Sequence, residues 1–298
     1  MKKTICFDAN NLAIRNLFGP DILIMDPKDK THVIEKNYEI MKYRIFDSIY
    51  KSLFKHKQGE VGEIILAMDS RRSWRKLYWT KYKANRKSSR EKIDLDWDEY
   101  FDVYDSFMLE LKENLPFKVI KVEDAEGDDI IGVLALTKPQ DFYIISTDKD
   151  FLQLCSPRVK IYNPLKKTEV EHPNPELFIV EQTLRGQTKD NIYNIKTPLD
   201  FPDGKKKPGF GEKAYEKVIA TGLDKWLDEN NLRERYEFNR NLMDLGRIPE
   251  EIKRRINREY DNYVYPSPDN IYKFINKYKW PEYMENFTNV ENKLLELY

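Results

Sequence analysis

The stretch VEDAEGDDIIGVLAL, residues 122–136, sets Glu123, Asp124, Glu126, Asp128 and Asp129 directly before an apolar run that reads as buried. Unpaired charges beside a core cost on the order of several kcal/mol unless something compensates them. Helix capping is one compensation, because the macrodipole favours acids in a first helical turn. A cation shared with carboxylates from elsewhere in the chain is the other. Asp8, Asp69, Asp148, Asp150 and Asp190 are available for that purpose. Each alone has a plain explanation as a cap or turn residue. Gathered at one place, they would repel strongly without cations. Oxygen ligands of this kind suit Mg²⁺ or Mn²⁺ rather than Zn²⁺, and the three His and two Cys form no metal-ligand spacing. Two such ions about 4 Å apart can activate water and stabilise the attacking and leaving oxygens of a phosphodiester.

The elements that must position these acids are readable from pattern. Residues 3–8, 63–69, 117–122, 141–147 and 159–163 are strand-like, and 37–57, 97–115 and 127–136 read as helical. Alternation of this sort predicts an α/β fold, a mostly parallel twisted sheet with helices on its faces. Sites in such sheets form beyond the carboxyl ends of the strands, where Asp8, Asp69 and Asp148 fall. From about residue 176 the β signals fade into helical patterns broken by Pro and Gly. A C-terminal helical subdomain packed on the sheet is expected, with no repeat and no long linker.

The chain has 298 residues, 40% of them hydrophobic and 13% aromatic, which excludes a disordered polymer. Lys and Arg balance Asp and Glu at 51 each, so net charge implies no partner. Its distribution does. Residues 71–92 hold ten Lys or Arg against Glu91 alone, a net +9 that leaves −9 for the remainder. On a wheel of about 100° per residue, Arg72, Lys76, Lys83, Arg86, Lys87 and Arg90 form one basic stripe with Trp79 at its edge. A charge run is often only a solvated surface. Next to a metal site, a one-sided stripe suits a phosphate backbone instead. Trp74, Tyr78 and Tyr82 take another face and are expected mostly to pack the helix, though aromatics here could stack on unpaired bases. Asp8 interrupts the only N-terminal apolar stretch, no run approaches the roughly 18 apolar residues of a membrane span, and two unpaired Cys suit a reducing compartment. A soluble, cytoplasmic protein without membrane partners is the expectation, and nothing requires more than a monomer.

The segments AEGDDIIGVLA and ISTDKDFLQL, with the Asp ending the first strand, resemble the 5′-nuclease (flap endonuclease) superfamily. RRSWRKLYWTKYKANRK, LDWDEYF and RNLMDLGRIPEEI resemble more closely its branch formed by the RNase H enzymes of T-even bacteriophages. The resemblance implies a PIN/5′-nuclease-like core over about residues 1–185. A basic helical arch at about 71–95 would pass a 5′ single strand. It places Asp8, Asp69, Glu126, Asp128 and Asp148 around a first Mg²⁺. Asp150 and Asp190 would face a second, and Asp129 would stand behind the ligands. Gln187 in GQTKDN departs from the family's acid at that position and weakens the expectation of the second ion. Lys83 and Arg86, in YKANR, would lie near the scissile phosphate, and the Ser-rich KSSR end would order only on DNA.

The helical part, residues 186–298, would carry a helix–loop–helix at about 198–220. Lys205, Lys206, Lys207 and Lys213 there supply charge, while Gly209 and Gly211 let the backbone approach a phosphate. An ordinary Pro-Gly turn with a basic rim is the plainer alternative. The resemblance further implies 5′→3′ exonuclease and flap endonuclease activity on RNA–DNA and DNA–DNA duplexes with a free 5′ end. Primer removal in phage replication follows, alongside a sliding clamp and a single-strand-binding protein. A PIN-type ribonuclease, or a nucleic-acid-binding protein without catalysis, are the alternatives.

Overall fold

In the computed structural model, which describes residues 2–55, 60–202 and 205–298, each strand expected from the sequence is present. Strand β1 (Lys3–Asp8) leads directly into α1 (Ala9–Leu17), because Asp8 accepts the Asn11 N–H at 2.9 Å and caps that helix. A short antiparallel ribbon follows, β2 (Leu23–Met25) against β3 (Val33–Lys36), which the sequence pattern did not reveal. Next come α2 (Tyr38–Lys55), β4 (Val61–Met68), α3 (Trp74–Tyr78), α4 (Asn85–Arg90) and α5 (Trp97–Asn114). The last two positions of the helix expected over 37–57 lie outside the described residues. Then come β5 (Phe117–Lys121), α6 (Gly127–Thr137), β6 (Phe142–Ile145), β7 (Val159–Asn163) and β8 (Thr168–Val170).

The main sheet has the order β5-β4-β1-β6-β7-β8 and is parallel except for the edge pair β7–β8. Because β1 is central and later strands were added on both its sides, the ends of β1, β4 and β6 border a point where the strand order reverses. Apolar alternation divides the strands between two cores. Ile5, Phe7, Ile64 and Leu66 face a cluster with α1, α2 and α5. Cys6, Ile65, Ala67 and Ile144 face α6.

The remaining helices are α7 (Pro175–Arg185), α8 (Glu212–Thr221), α9 (Leu223–Glu229), α10 (Arg233–Met243), α11 (Glu250–Asp261), α12 (Asn270–Tyr278), α13 (Pro281–Glu285) and α14 (Phe287–Leu295). Helices α7–α10 enclose a separate cluster around Leu184, Val218, Trp226 and Tyr236. The chain then returns. Ile252 and Ile256 of α11 pack with α6, whereas Ile271 and Phe274 of α12 join the opposite core with α5. Both faces of the sheet are thus completed by the C-terminal helices.

The segment 71–92 is not one helix. Trp79 is extended (φ −147°, ψ 110°), and Lys83 takes a left-handed conformation (φ 53°) between α3 and α4. A single helical wheel therefore misplaces its side chains.

Candidate active site at the carboxyl ends of the strands

The sheet delivers acids from well-separated parts of the chain to one edge. Asp8 ends β1, Asp69 follows β4, Glu126 caps α6 after β5, and Asp148 follows β6. The local reasons are visible. Gly127 N–H donates to Asp69 Oδ1 at 2.7 Å, tying the end of β4 to the start of α6. A Cβ on Gly127 would stand 2.9 Å from the Ala67 carbonyl oxygen, so glycine is what lets the helix come this close. Asp148 accepts the Asp150 N–H at 3.0 Å and caps the short 3₁₀ turn Lys149–Leu154.

Asn10 and Asn11 order this edge. Asn10 Oδ1 accepts the Asp69 N–H at 2.9 Å and the Tyr104 hydroxyl at 3.1 Å, and Asn11 Oδ1 accepts Thr147 Oγ1–H at 3.0 Å. Sequence reasoning passed over both. Their signal was DANN itself, two amides immediately after a strand-ending acid.

Charge balance differs from acid to acid. Burial, then the charge of Asp69, pushes the Asp8 carboxyl up to about 7. Burial also raises Asp69, with Lys83 drawing it down and Glu126 adding to the rise. No ion pair reaches either one among the described residues. Glu126 is the opposite case: burial would raise it, but Lys83 and Arg75 hold it below the usual carboxylate range. Lys83 Nζ donates to Glu126 Oε1 at 2.5 Å, while Arg75 Nη1 at 3.0 Å and the Tyr82 hydroxyl at 2.9 Å donate to Oε2.

Arg75 was also missed. It is 1% exposed, and its Nη2 lies 2.7 Å from Asp129. Trp74 Nε1–H donates to Asp129 at 3.0 Å, and the Asp129 carboxylate accepts the Glu126 N–H at 2.9 Å to complete a capping box. The capping answer to the opening motif holds for Asp129, a structural acid neutralised by Arg75, while Glu126 and Asp128 border the candidate site. A buried guanidinium beside three of the five acids, Glu126, Asp128 and Asp129, is the counter-charge that the sequence already demanded.

On the far side, Lys189 Nζ lies 2.8 Å from Asp148 Oδ1 and 3.0 Å from Asp150 Oδ2, and Arg86 Nη2 lies 2.8 Å from Asp190 Oδ1. Gln187 Nε2 donates to Asp150 Oδ1 at 2.5 Å. The turn carrying Asp190 also grips the basic segment. Lys83 N–H donates to the Asp190 carbonyl at 2.9 Å, and Asn191 Nδ2 donates to the Lys81 carbonyl at 2.9 Å. The expectation that divalent ions alone allow the acids to coexist is thus corrected: Glu126, Asp148, Asp150 and Asp190 each carry a lysine or arginine partner.

A hard cation still fits the set. Glu126, Asp128 and Asp129 offer oxygens within 4.8 Å of one another, a cluster that could hold a metal ion. Asp128 Oδ1 is buried without a hydrogen-bond donor, and burial raises that carboxyl well above its ordinary range. Those are the features of an acid that a cation would stabilise.

A cavity of about 1350 Å³ opens over Asp69 and Glu126. Arg72, Lys76, Lys83, Arg86 and Arg90 line it, with Trp97 and Phe101 on the α5 side. Arg72 also pairs with Glu123, and Arg90 lies 5.0 Å from the Phe101 ring centroid. The Lys87 side chain and the adjoining Ser88 and Ser89 side chains lie outside the described residues. Trp79 is a correction: it is buried, edge-on to Tyr193 and Phe238, and offers no face to a base. The rotation away from the stripe follows from its extended backbone.

In the expected helix–loop–helix, Lys205, Lys206, Lys207 and Lys213 are exposed, and Lys207 Nζ stands 3.7 Å over the Tyr193 ring. A Cβ on Gly209 or Gly211 would meet no protein atom within 4 Å, so packing does not demand either glycine. Among the described residues, no helix is long and apolar enough to cross a membrane.

Residues 3–182 match the family described as 5′-3′ exonuclease, N-terminal resolvase-like domain, and residues 173–290 match the C-terminal domain of T4 RNase H. The chain is 30% identical over 255 residues to Ribonuclease H of Enterobacteria phage T4, covering 81% of this chain and 83% of that protein. It is 31% identical over 194 residues to an exodeoxyribonuclease of Enterobacteria phage T3, covering 61% and 59%. Among solved structures, its fold resembles the bacteriophage T5 flap endonuclease in a pseudo-enzyme-product complex with DNA and metal ions. That match has a TM-score of 0.62 at 15% identity, over 87% of this chain and 98% of the other.

Proposed function

The chain belongs to the 5′-3′ exonuclease family, and we propose that it is a metal-dependent, structure-specific 5′-nuclease that cuts DNA–DNA and RNA–DNA duplexes at a free 5′ end or flap. One observation supports this reading: Asp8, Asp69, Glu126 and Asp148, from four different strand connections, stand at one edge of the sheet, and Asp69 and Glu126 line a cavity with a basic wall. Mg²⁺, with Mn²⁺ as a substitute, is the ion the all-oxygen set suits, and Asp8, Asp69, Asp128 and Asp148 would hold it. When bound, it supplies Lewis acidity toward water and the phosphate oxygens.

The protein's own groups do the rest. Lys83 and Arg86 present positive charge at the rim of the acids, where each can share its donors between a carboxylate and a phosphate oxygen. Charge that develops on the phosphoryl group is thereby offset by donors already in place. Arg72, Lys76 and Arg90 line the route to that point and hold a strand by its backbone, without reading its sequence. Exposed Lys205, Lys206 and Lys213 would grip duplex farther from the cut. Removal of RNA primers during phage replication in the host cytoplasm is the use this chemistry fits.

The test is a 5′-labelled flap duplex incubated with and without EDTA. Metal-dependent release of short 5′ products is expected. A second reading, DNA binding without cleavage, draws on the ion pairs that Glu126, Asp148 and Asp190 already make. Shifted but uncut substrate at saturating Mn²⁺ would select it.

A further inference from the structure

The two sides of the acidic edge are not equivalent toward cations. Asp150 has both oxygens engaged from within the chain, Oδ1 by the Gln187 amide at 2.5 Å and Oδ2 by Lys189 Nζ at 3.0 Å. Asp148 receives the same ammonium on Oδ1 at 2.8 Å and on Oδ2 at 2.9 Å. The third acid on this side, Asp190, is paired with Arg86. Three carboxylates therefore face two fixed cations, and a divalent ion added among them would overshoot neutrality.

Both donors sit on a tightly built turn. Gln187 and Ile192 exchange backbone hydrogen bonds of 2.9 Å, and Asn191 closes the turn in the left-handed region at φ 57°. Gly186, at φ 67°, enters it where a Cβ would stand 2.5 Å from the Ile192 carbonyl oxygen. The turn is anchored to the basic segment through the Asn191 side chain at Lys81 and the Asn85 side chain at the Thr188 carbonyl, 3.0 Å. Lys189 thus reaches the acids from a braced backbone.

We propose that Lys189, supported by Gln187, is an intramolecular counter-cation that replaces a second tightly held divalent ion at Asp148 and Asp150. The protein then holds one ion tightly, on the side of Asp8 and Asp69, where no basic side chain makes an ion pair among the described residues. A second ion enters only by displacing the ammonium, at higher metal concentration. This inference rests on the nuclease reading.

Mn²⁺ titration of the full chain, with free Mn²⁺ followed by electron paramagnetic resonance, tests it without substrate. One tight ion per chain is expected for the parent. In Lys189→Met, and separately in Gln187→Asp, the second ion should tighten by about tenfold or more, as changes beside metal ligands commonly do. Circular dichroism confirms that each variant is folded, and the two substitutions alter the turn in different ways. Two ions of similar affinity in the parent would overturn the proposal, as would unchanged second-ion affinity in both variants. A parent that binds no ion at all would remove the metal-dependent nuclease reading itself, a result distinguishable from either.

Discussion

The two ends of strand β4 each carry an acid, and they are treated in opposite ways. At the beginning, Glu63 accepts hydrogen bonds from Thr4 at 2.7 Å, Tyr260 at 2.6 Å and Gln140 at 3.1 Å, and Lys118 Nζ lies 2.9 Å from its other oxygen. Burial would raise its pKa, but Tyr260, Lys118 and Thr4 hold it below the ordinary value of 4.5. At the other end, Asp69 accepts one backbone N–H, and burial raises its carboxyl above the ordinary value, while its charge helps push the neighbouring Asp8 up to about 7. One acid is satisfied by the fold. The other makes no ion pair among the described residues, an imbalance of the kind that separates a candidate site from a structural network.

The largest consequence concerns activity. Asp69→Asn and Asp8→Asn should each lower flap cleavage by at least about a hundredfold. Their DNA affinity should be retained, and their unfolding midpoints unchanged or raised, because repulsion is relieved. A variant that cuts at the parental rate would remove the acid from the ligand set. Arg75→Met tests the remaining acids at this end. Removing the buried guanidinium leaves Asp129 without its cation and Glu126 with Lys83 alone, and should cost about 3–5 kcal/mol in urea unfolding. A loss below about 1 kcal/mol would show that other donors carry that cluster.

Metal addition should act on one end only. At a hundredfold excess over its Kd, Mn²⁺ should stabilise the parent by about 2.7 kcal/mol. The same addition should leave an Asp8→Asn/Asp69→Asn double variant nearly unmoved, read as a shift in Tm. Glu63→Gln is the smallest effect, about 1–3 kcal/mol from the ammonium of Lys118 left without its carboxylate. Because Glu63 has a depressed pKa in the folded state, its contribution is present above about 4.5, its ordinary value, and is lost as pH falls through the folded value. The parent's advantage over Glu63→Gln should therefore shrink on acidification below that range, with cleavage at neutral pH equal in both. Equal pH profiles would contradict the assignment.

Much of this was legible before any coordinates. The strands at 3–8, 117–121 and 159–163 are local apolar runs between turn residues, and so their ends, and the acids on those ends, could be located. Period and propensity act over a few residues. The ribbon of β2 and β3 escaped notice because Leu23–Met25 and Val33–Lys36 are too short and too exposed to show alternation. The basic segment misled for a related reason. Its spacing fits a helix throughout, but the backbone is broken at Trp79 and Lys83 to satisfy contacts with Tyr193, Phe238 and Asp190, more than a hundred positions away.

Sequence by itself determined which residues could be ligands, where the strands end, and that a concentrated positive charge lies near them, since these depend on residue type and short-range pattern. Only the tertiary structure decided which cation each acid meets. Arg75 closes on Glu126 and Asp129, Lys189 on Asp148 and Asp150, and Arg86 on Asp190, while Asp8 and Asp69 make no ion pair among the described residues. Electrostatic pairing depends on distance and burial, which a list of charges does not contain.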